Sequence, residues 1–308
     1  MAKWTEADIP DQTGRTVLVT GANSGLGLRS AEVLSAKGAL VLMACRSPER
    51  GQRALEKVLA TGGKAELVAL DLADLASVRA AAQEVRERTG DALDVLLNNA
   101  GVMAVPLGRT ADDFERQFGT NHLGHAALTW LLMPALRTRP GARVVTLSSL
   151  AHQAGKLDVA DPNYEVRGYS AWGAYGQSKL ANLLFARELD RRLRRAGADV
   201  ASIAAHPGFT ATELSANMAR AQGNWFLEMG TKVSDLFSQP VERGALPQLY
   251  AATSPDAVGG QYYGPDGVRG MRGHPTVAAM SSAAKDDLAA GRLWDLTATL
   301  TRVTPDPA

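Results

Sequence analysis

Between residues 16 and 205 the chain alternates short, continuous apolar runs with longer segments of helical period, and no other feature constrains its fold as tightly. Strand-like runs fall at 16–20, 39–44, 65–70, 93–97, 143–147 and 199–205. Helical periods fill the gaps at 26–36, 48–60, 75–88, 111–136 and 172–195. A run with no polar alternation is a strand buried on both faces, and helices between such strands provide the cover. The pattern predicts a doubly wound α/β fold: one domain over residues 1–308, a parallel sheet of about seven strands, and helices on both faces. Beyond 207 the alternation weakens. A helix is expected at 241–252, and a C-terminal strand and helix within 259–300. Residues 212–239 mix small residues with Trp225, Phe226, Leu227, Met229 and Phe237, and read as a lid over a substrate; an oligomer contact or a hydrophobic cap is the alternative.

Lys and Arg number 33 against 32 for Asp and Glu, so no charge excess points to nucleic acid or an anionic membrane. The single cysteine, Cys45, excludes an internal disulfide and fits a reducing compartment, so a cytoplasmic location is expected. The N-terminus is polar, and the most apolar stretch, 126–136, is far shorter than the ~20 residues of a membrane span.

Thr20-Gly21-Ala22-Asn23-Ser24-Gly25-Leu26-Gly27 stands at the first strand-to-helix turn. Glycines there allow a tight turn and close backbone approach, and the free N–H groups of a helix start suit a phosphate. Gly21, Asn23, Ser24, Gly25, Leu26 and Gly27 are therefore dinucleotide-binding candidates. An acid about 20 residues beyond such a turn would select the ribose of NAD. Here the second strand ends in Cys45-Arg46-Ser47. Arg46 favours the 2′-phosphate of NADP(H), with NAD(H) admitted, and Arg29, Arg50 and Arg53 compete for that phosphate. Asp71-Leu72, after the third strand, reads as an adenine contact or, for Asp71, as a helix cap. Asn98, Ala100 and Gly101, in the turn Asn98-Asn99-Ala100-Gly101, fall at the carboxyl end of the fourth strand, where a parallel sheet keeps its ligand crevice.

Tyr175 and Lys179 lie four residues apart in the 172–195 helix, hence on one face. A fixed positive charge beside a phenol favours the phenolate, so the pair reads as a general acid/base with the Tyr175 pKa lowered by Lys179. His122 and His125 have no third ligand in view, and no metal is expected. His152 and His206 fall near the crevice and read as packing residues, with a substrate contact as the alternative; Cys45, at a strand end beside Arg46, reads as a small buried residue, with a reactive thiolate as the alternative. Ser149 lacks a nucleophile-elbow setting, which disfavours a Ser-His-Asp hydrolase.

The glycine turn, Asn98-Asn99-Ala100-Gly101, Asn121, Ser148-Ser149, Tyr175 with Lys179, and Pro207-Gly208 occur in an order and spacing that resembles the short-chain dehydrogenase/reductase family, over nearly the whole chain. Ala44-Cys45-Arg46-Ser47, Leu147-Ser148-Ser149-Leu150-Ala151-His152 and Ser178-Lys179-Leu180-Ala181-Asn182 look most like its retinol-dehydrogenase-like and WW-domain-oxidoreductase-like branch. The polar N-terminus differs from the membrane segment of vertebrate members, which argues against carrying over membrane attachment or retinoid specificity. The resemblance implies that Tyr175 exchanges a proton with the substrate oxygen and that Lys179 tunes Tyr175 and holds a ribose. It implies that Ser149, with Ser148 as fallback, polarises that oxygen, and that Asn121 bends its helix and holds a water. Pro207, Gly208, Thr210 and Thr212 would hold the nicotinamide and pyrophosphate side. The interval between Ser149 and Tyr175 is about twice the family's usual one, making 155–170 an insertion at the substrate mouth with Tyr164 or Tyr169 contributing to specificity. The implied activity is NADP(H)-dependent hydride transfer between a nicotinamide and a hydrophobic carbonyl or alcohol, in a homodimer or homotetramer built on helices 111–136 and 172–195. The contrasting expectation is an NADP-binding redox sensor without turnover, although Tyr175, Lys179 and Ser149 are all retained.

Overall fold

The computed structural model describes residues 3–210 and 239–307. Its core is a sheet of eight strands: β1 (Thr16–Thr20), β2 (Leu40–Cys45), β3 (Lys64–Ala69), β4 (Val95–Asn98), β5 (Ala142–Leu147), β6 (Val200–Ala205), β7 (Tyr262–Pro265) and β8 (Pro275–Val277). The spatial order is β3-β2-β1-β4-β5-β6-β7-β8. Seven strands run parallel, and β8 pairs antiparallel with β7, so the sheet gains one edge strand beyond the expected seven. In β1, Val17 and Val19 face one core while Leu18 faces the other, the two-residue alternation of a strand. Both sides are covered, which is why the central runs are largely apolar, whereas β3 at the sheet edge carries Lys64 and Glu66.

One face is packed by α1 (Gly25–Ala36), α2 (Pro48–Leu59) and α6 (Val241–Thr253), whose Ala31, Leu34, Val58 and Leu249 meet the strands. The other carries α3 (Leu75–Thr89), α4 and α5 (Ala171–Arg195), with α7 (Asp287–Thr301) outside them. α4 is a helix in three parts: Arg116–Phe118, a π-helical turn Gly119–Leu123, and Gly124–Arg137. It starts later than the apolar period suggests. Asp113 sits at a positive φ of 66° and Thr110 N–H bonds Phe114 O at 2.9 Å, so the chain turns before Glu115 caps the helix through the N–H groups of Gln117 and Phe118.

On α4 and α5, the helices expected to form subunit contacts, α7 of the same chain packs through Trp294. Trp294 stacks on Phe185 with ring centroids 5.5 Å apart and meets Trp130 edge-on at 4.9 Å. Apart from Gln239, the segment 212–239 expected to be a lid, Thr212 included, lies outside the described residues. Gln239 is buried, donating from Nε2 to Pro207 O at 2.6 Å and accepting from Gly273 N–H at 3.1 Å. Among the described residues no helix is long and apolar enough to cross a membrane.

Candidate active site

Strand order reverses between β1 and β4, and a cleft of about 290 Å³ opens at the carboxyl ends of these strands. Gly21, Asn23, Ser24, Gly25, Leu26 and Gly27 form one wall. A Cβ on Gly27 would lie 2.4 Å from Gly21 O, and one on Gly21 3.0 Å from Ala100, so the turn packs too tightly for side chains. Ser24 precedes α1 without a side-chain cap bond, leaving the first-turn N–H groups for an anion.

Arg46, Ser47 and Arg50 line the adenosine end expected for a dinucleotide, with Asp71 and Leu72 opposite. Arg29 is not a competitor for a phosphate there: it bonds Glu6 at 2.6 and 3.0 Å and pairs with Glu32. Arg53 does not line the cleft either. The two readings of Asp71 separate cleanly, because Asp74 caps α3 through Ala76 and Ser77 N–H, while Asp71 binds Ala73 N–H with one oxygen and stays in the cleft.

At β4 the structure corrects one assignment. Asn98 is buried behind the wall, donating to Thr129 Oγ1 at 3.0 Å, and it is Asn99, with Ala100 and Gly101, that lines the cleft. Thr20 organises this turn: its hydroxyl accepts Asn99 and Ala100 N–H at 2.9 and 3.0 Å. It also lies 2.9 Å from His125 Nε2. Because His125 Nδ1 faces the carbonyl of Asn121 at 2.9 Å, that nitrogen carries the proton and Nε2 accepts from Thr20. Neither residue stood out as a link in the sequence, since their partners are distant in the chain. His122 bonds Thr297 instead, so the two histidines serve different contacts.

Asn121 sits in the π-helical turn, in line with a bent helix. Its amide grips the backbone of Val102 in both directions, at 2.8 and 2.9 Å, and donates to Ser178 Oγ at 3.0 Å. Across the cleft stand Tyr175 and Lys179, the latter's Nζ 5.6 Å from the Tyr175 ring centroid. Lys179 Nζ donates to Leu147 O at 3.3 Å. Ser148 spends its hydroxyl on Lys179 O at 2.7 Å, whereas the Ser149 hydroxyl accepts Ala151 N–H at 3.2 Å and faces the Tyr175 phenol. Ser148 lines the cleft and Ser149 stands just beyond it, on the Tyr175 side.

The electrostatics differ from the sequence expectation. Burial pushes Tyr175 up to about 12, opposed by the neighbouring Ser149 hydroxyl, and burial pushes Lys179 down to about 8. Both groups are withdrawn from water, and desolvation disfavours each charged form more than their separation allows them to help each other. With its pKa raised to about 12, Tyr175 is a neutral phenol at neutral pH, able to give a proton.

Pro207 lines the cleft, but Gly208 and Thr210 lie beside it. Gly208 has φ +67°, and a Cβ on it would sit 2.4 Å from Met271 O, while the Thr210 hydroxyl turns back to Pro207 O at 2.7 Å. The insertion residues Tyr164 and Tyr169 do not line the cleft. Tyr164 is buried beneath the Arg167 guanidinium, 3.8 Å from its ring, and Tyr169 bonds Val105 O and Glu115.

A family model described as short chain dehydrogenase matches residues 15–223. The chain belongs to this family. Retinol dehydrogenase 13 of Homo sapiens is 39% identical over 297 residues, covering 94% of this chain and 84% of that protein. Polyprenol dehydrogenase of Mus musculus is 41% identical over 264 residues, covering 82% and 76%. A crystal structure of a protein from Mycobacterium paratuberculosis is 44% identical, with 98% of each chain covered and a TM-score of 0.81. This short-chain dehydrogenase is thus an oxidoreductase of alcohols and carbonyls, and the cleft suits a nicotinamide dinucleotide: glycines where a Cβ would collide, an uncapped helix start for the pyrophosphate, and buried Tyr175 and Lys179 at the far end.

Proposed function

We propose that the chain is an NADP(H)-dependent reductase of hydrophobic carbonyl compounds, running in reverse as an alcohol dehydrogenase. The observation that carries this reading is one cleft with Arg46 and Arg50 at one end, no carboxylate at Cys45 or Arg46, and the Ser149–Tyr175 pair at the other. A bound nicotinamide supplies the hydride; the chain supplies position, polarisation and a proton. The Ser149 hydroxyl orients the Tyr175 phenol and donates to a carbonyl oxygen, stabilising the charge that grows there. The Tyr175 phenol delivers its proton to that oxygen, and Lys179 and Asn121 hold the helices between which the transfer occurs. A solved structure from Beutenbergia cavernae, a candidate NAD(P)-dependent gluconate 5-dehydrogenase 26% identical to this chain, contains NADP. Retinol and polyprenol dehydrogenases among the relatives support an apolar substrate. Nothing in the comparisons supports the redox-sensor alternative.

The test is NADPH oxidation with a panel of aldehydes and ketones. Tyr175→Phe is expected to lower kcat about 10²–10⁴-fold, the usual share of a general acid, with the NADPH Kd within about twofold of wild type. Retained turnover would overturn the assigned donor. Arg46→Asp is expected to weaken NADPH about 10–100-fold, the worth of a charge-assisted hydrogen bond, while leaving NADH nearly unchanged. An unaltered preference between the two would remove the phosphate from Arg46.

A further inference from the structure

The insertion 155–170 grips both catalytic helices at once. On α4, Asn163 Oδ1 accepts Glu115 N–H at 2.9 Å, and Gln117 Nε2 donates to the Tyr169 hydroxyl at 3.0 Å and to Ala171 O at 2.8 Å. The single Tyr169 proton is shared between Val105 O at 2.9 Å and Glu115 Oε1 at 3.2 Å. That Glu115 carboxylate also accepts Gln117 and Phe118 N–H at 3.0 and 2.7 Å, which fixes the start of the helix that carries Asn121. On α5 the grip falls between Tyr175 and Lys179: Gln177 donates to Pro162 O at 2.9 Å and accepts from Arg167 at 2.5 Å. Gly155 packs directly on the same turn, where an added Cβ would stand 2.3 Å from Gly176 O.

Glu115, Gln117 and Gln177 are each 0% exposed. Gln117 Oε1 has no hydrogen-bond partner, but Gln117 Nε2 and the side-chain polar atoms of Glu115 and Gln177 are paired, and another arrangement would unpair them at a cost. An insertion that only narrowed the substrate mouth would present its polar atoms to the cleft. Here Asn163, Tyr169, Pro162 O and Arg167 are turned to the two helices, while Asp158 and Asp161 brace the segment itself.

We propose that the 155–170 insertion is a clamp that fixes the position of Tyr175 and Lys179 relative to Asn121, with Tyr169 and Gln177 as its positioning residues. This rests on the proposed reductase reading for its kinetic consequence, but not for its structural one. Tyr169 and Gln177 do not contact reacting atoms. They hold Lys179 in its water-poor position and the Tyr175 phenol against Ser149.

The experiment compares Tyr169→Phe and Gln177→Leu with the exposed control Val166→Ser. Two readouts are taken: kcat and KM for an aldehyde with NADPH, and the Lys179 titration followed by NMR in cofactor-free protein carrying isotope-labelled lysine. Wild type is expected to titrate near 8, and both clamp variants are expected to move toward the ordinary lysine value as water reaches Nζ. kcat is expected to fall roughly tenfold or more with KM changed much less, as displacement of a catalytic group predicts. The control is expected to match wild type in both. A drop in melting temperature alone, with kcat and the Lys179 midpoint unchanged, would reduce the insertion to a packing element and overturn the proposal. Should wild type turn over no carbonyl, the reductase reading fails while the Lys179 titration still decides the clamp.

Discussion

Lys179 rather than Tyr175 is the group whose charge changes near neutral pH. Burial holds Tyr175 at about 12 and Lys179 at about 8, so between pH 6 and 9 the phenol stays protonated while the lysine loses its proton. Lys179 is charged below 8 and neutral above it. kcat/KM for NADPH, which reports the free enzyme, is therefore expected to fall as pH rises through about 8. Lys179→Arg should flatten that limb, because a guanidinium stays charged throughout; an unmoved limb would assign it to another group. Gly27 is the second residue whose chemistry is decided by a few tenths of an ångström. A Cβ there would meet Gly21 O at 2.4 Å and Asn99 Nδ2 at 2.5 Å, both in the cofactor wall. Gly27→Ala is expected to cost about 1–3 kcal/mol of stability, as overpacking does, and to weaken NADPH in a fluorescence titration. Unchanged affinity and unfolding midpoint would mean that the turn has slack which this geometry lacks.

Among the elements, α7 contributes what the helical period alone does not disclose. Its Trp294 is 2% exposed, stacked on Phe185, edge-on to Trp130 and covered by the Arg192 guanidinium at 4.7 Å. It ties the C-terminal helix to α4 and α5 on the face opposite the cleft. Trp294→Ala is expected to cost about 3–5 kcal/mol, the usual range for a buried aromatic, in urea unfolding. It also uncovers Phe185 and Trp130. Light scattering should then show self-association of the folded variant that wild type lacks through this face, and equal masses for the two would refute that.

For the whole molecule, the buried histidines set the acid limit of stability. Burial pushes His122 down to about 3, His125 and His206 to about 4, and lowers His152 as well. In the unfolded chain each takes a proton below about 6.5. Between that value and the depressed folded ones the unfolded state binds more protons, so stability is full above about 6.5 and falls as pH falls below it. Each histidine contributes up to about 1.4 kcal/mol per pH unit in that window. Urea midpoints at pH 7, 6 and 5 should decline progressively; a flat series would mean that these histidines are protonated in the fold.

Local pattern was enough for the seven parallel strands, because the apolar runs and helical periods record burial residue by residue; the short antiparallel β8, two of whose three residues are exposed, carries no such run. The glycine turn and the Tyr175–Lys179 spacing were legible for the same reason: each is a contiguous stretch whose conformation follows from its own residues. Tertiary structure decided the matters that depend on distant neighbours. It put Asn99 rather than Asn98 on the cleft, gave the helix cap to Asp74 and left Asp71 free to face a ligand, and bonded Arg29 to Glu6. It packed Tyr164 against Arg167, bonded the Tyr169 hydroxyl to Val105 O and Glu115, and reversed the expected direction of the Tyr175 shift. Period and spacing describe which face of an element is buried; they do not say how deeply a charge is desolvated or which remote carbonyl receives its proton. Those follow only once the strands, helices and insertion occupy their places.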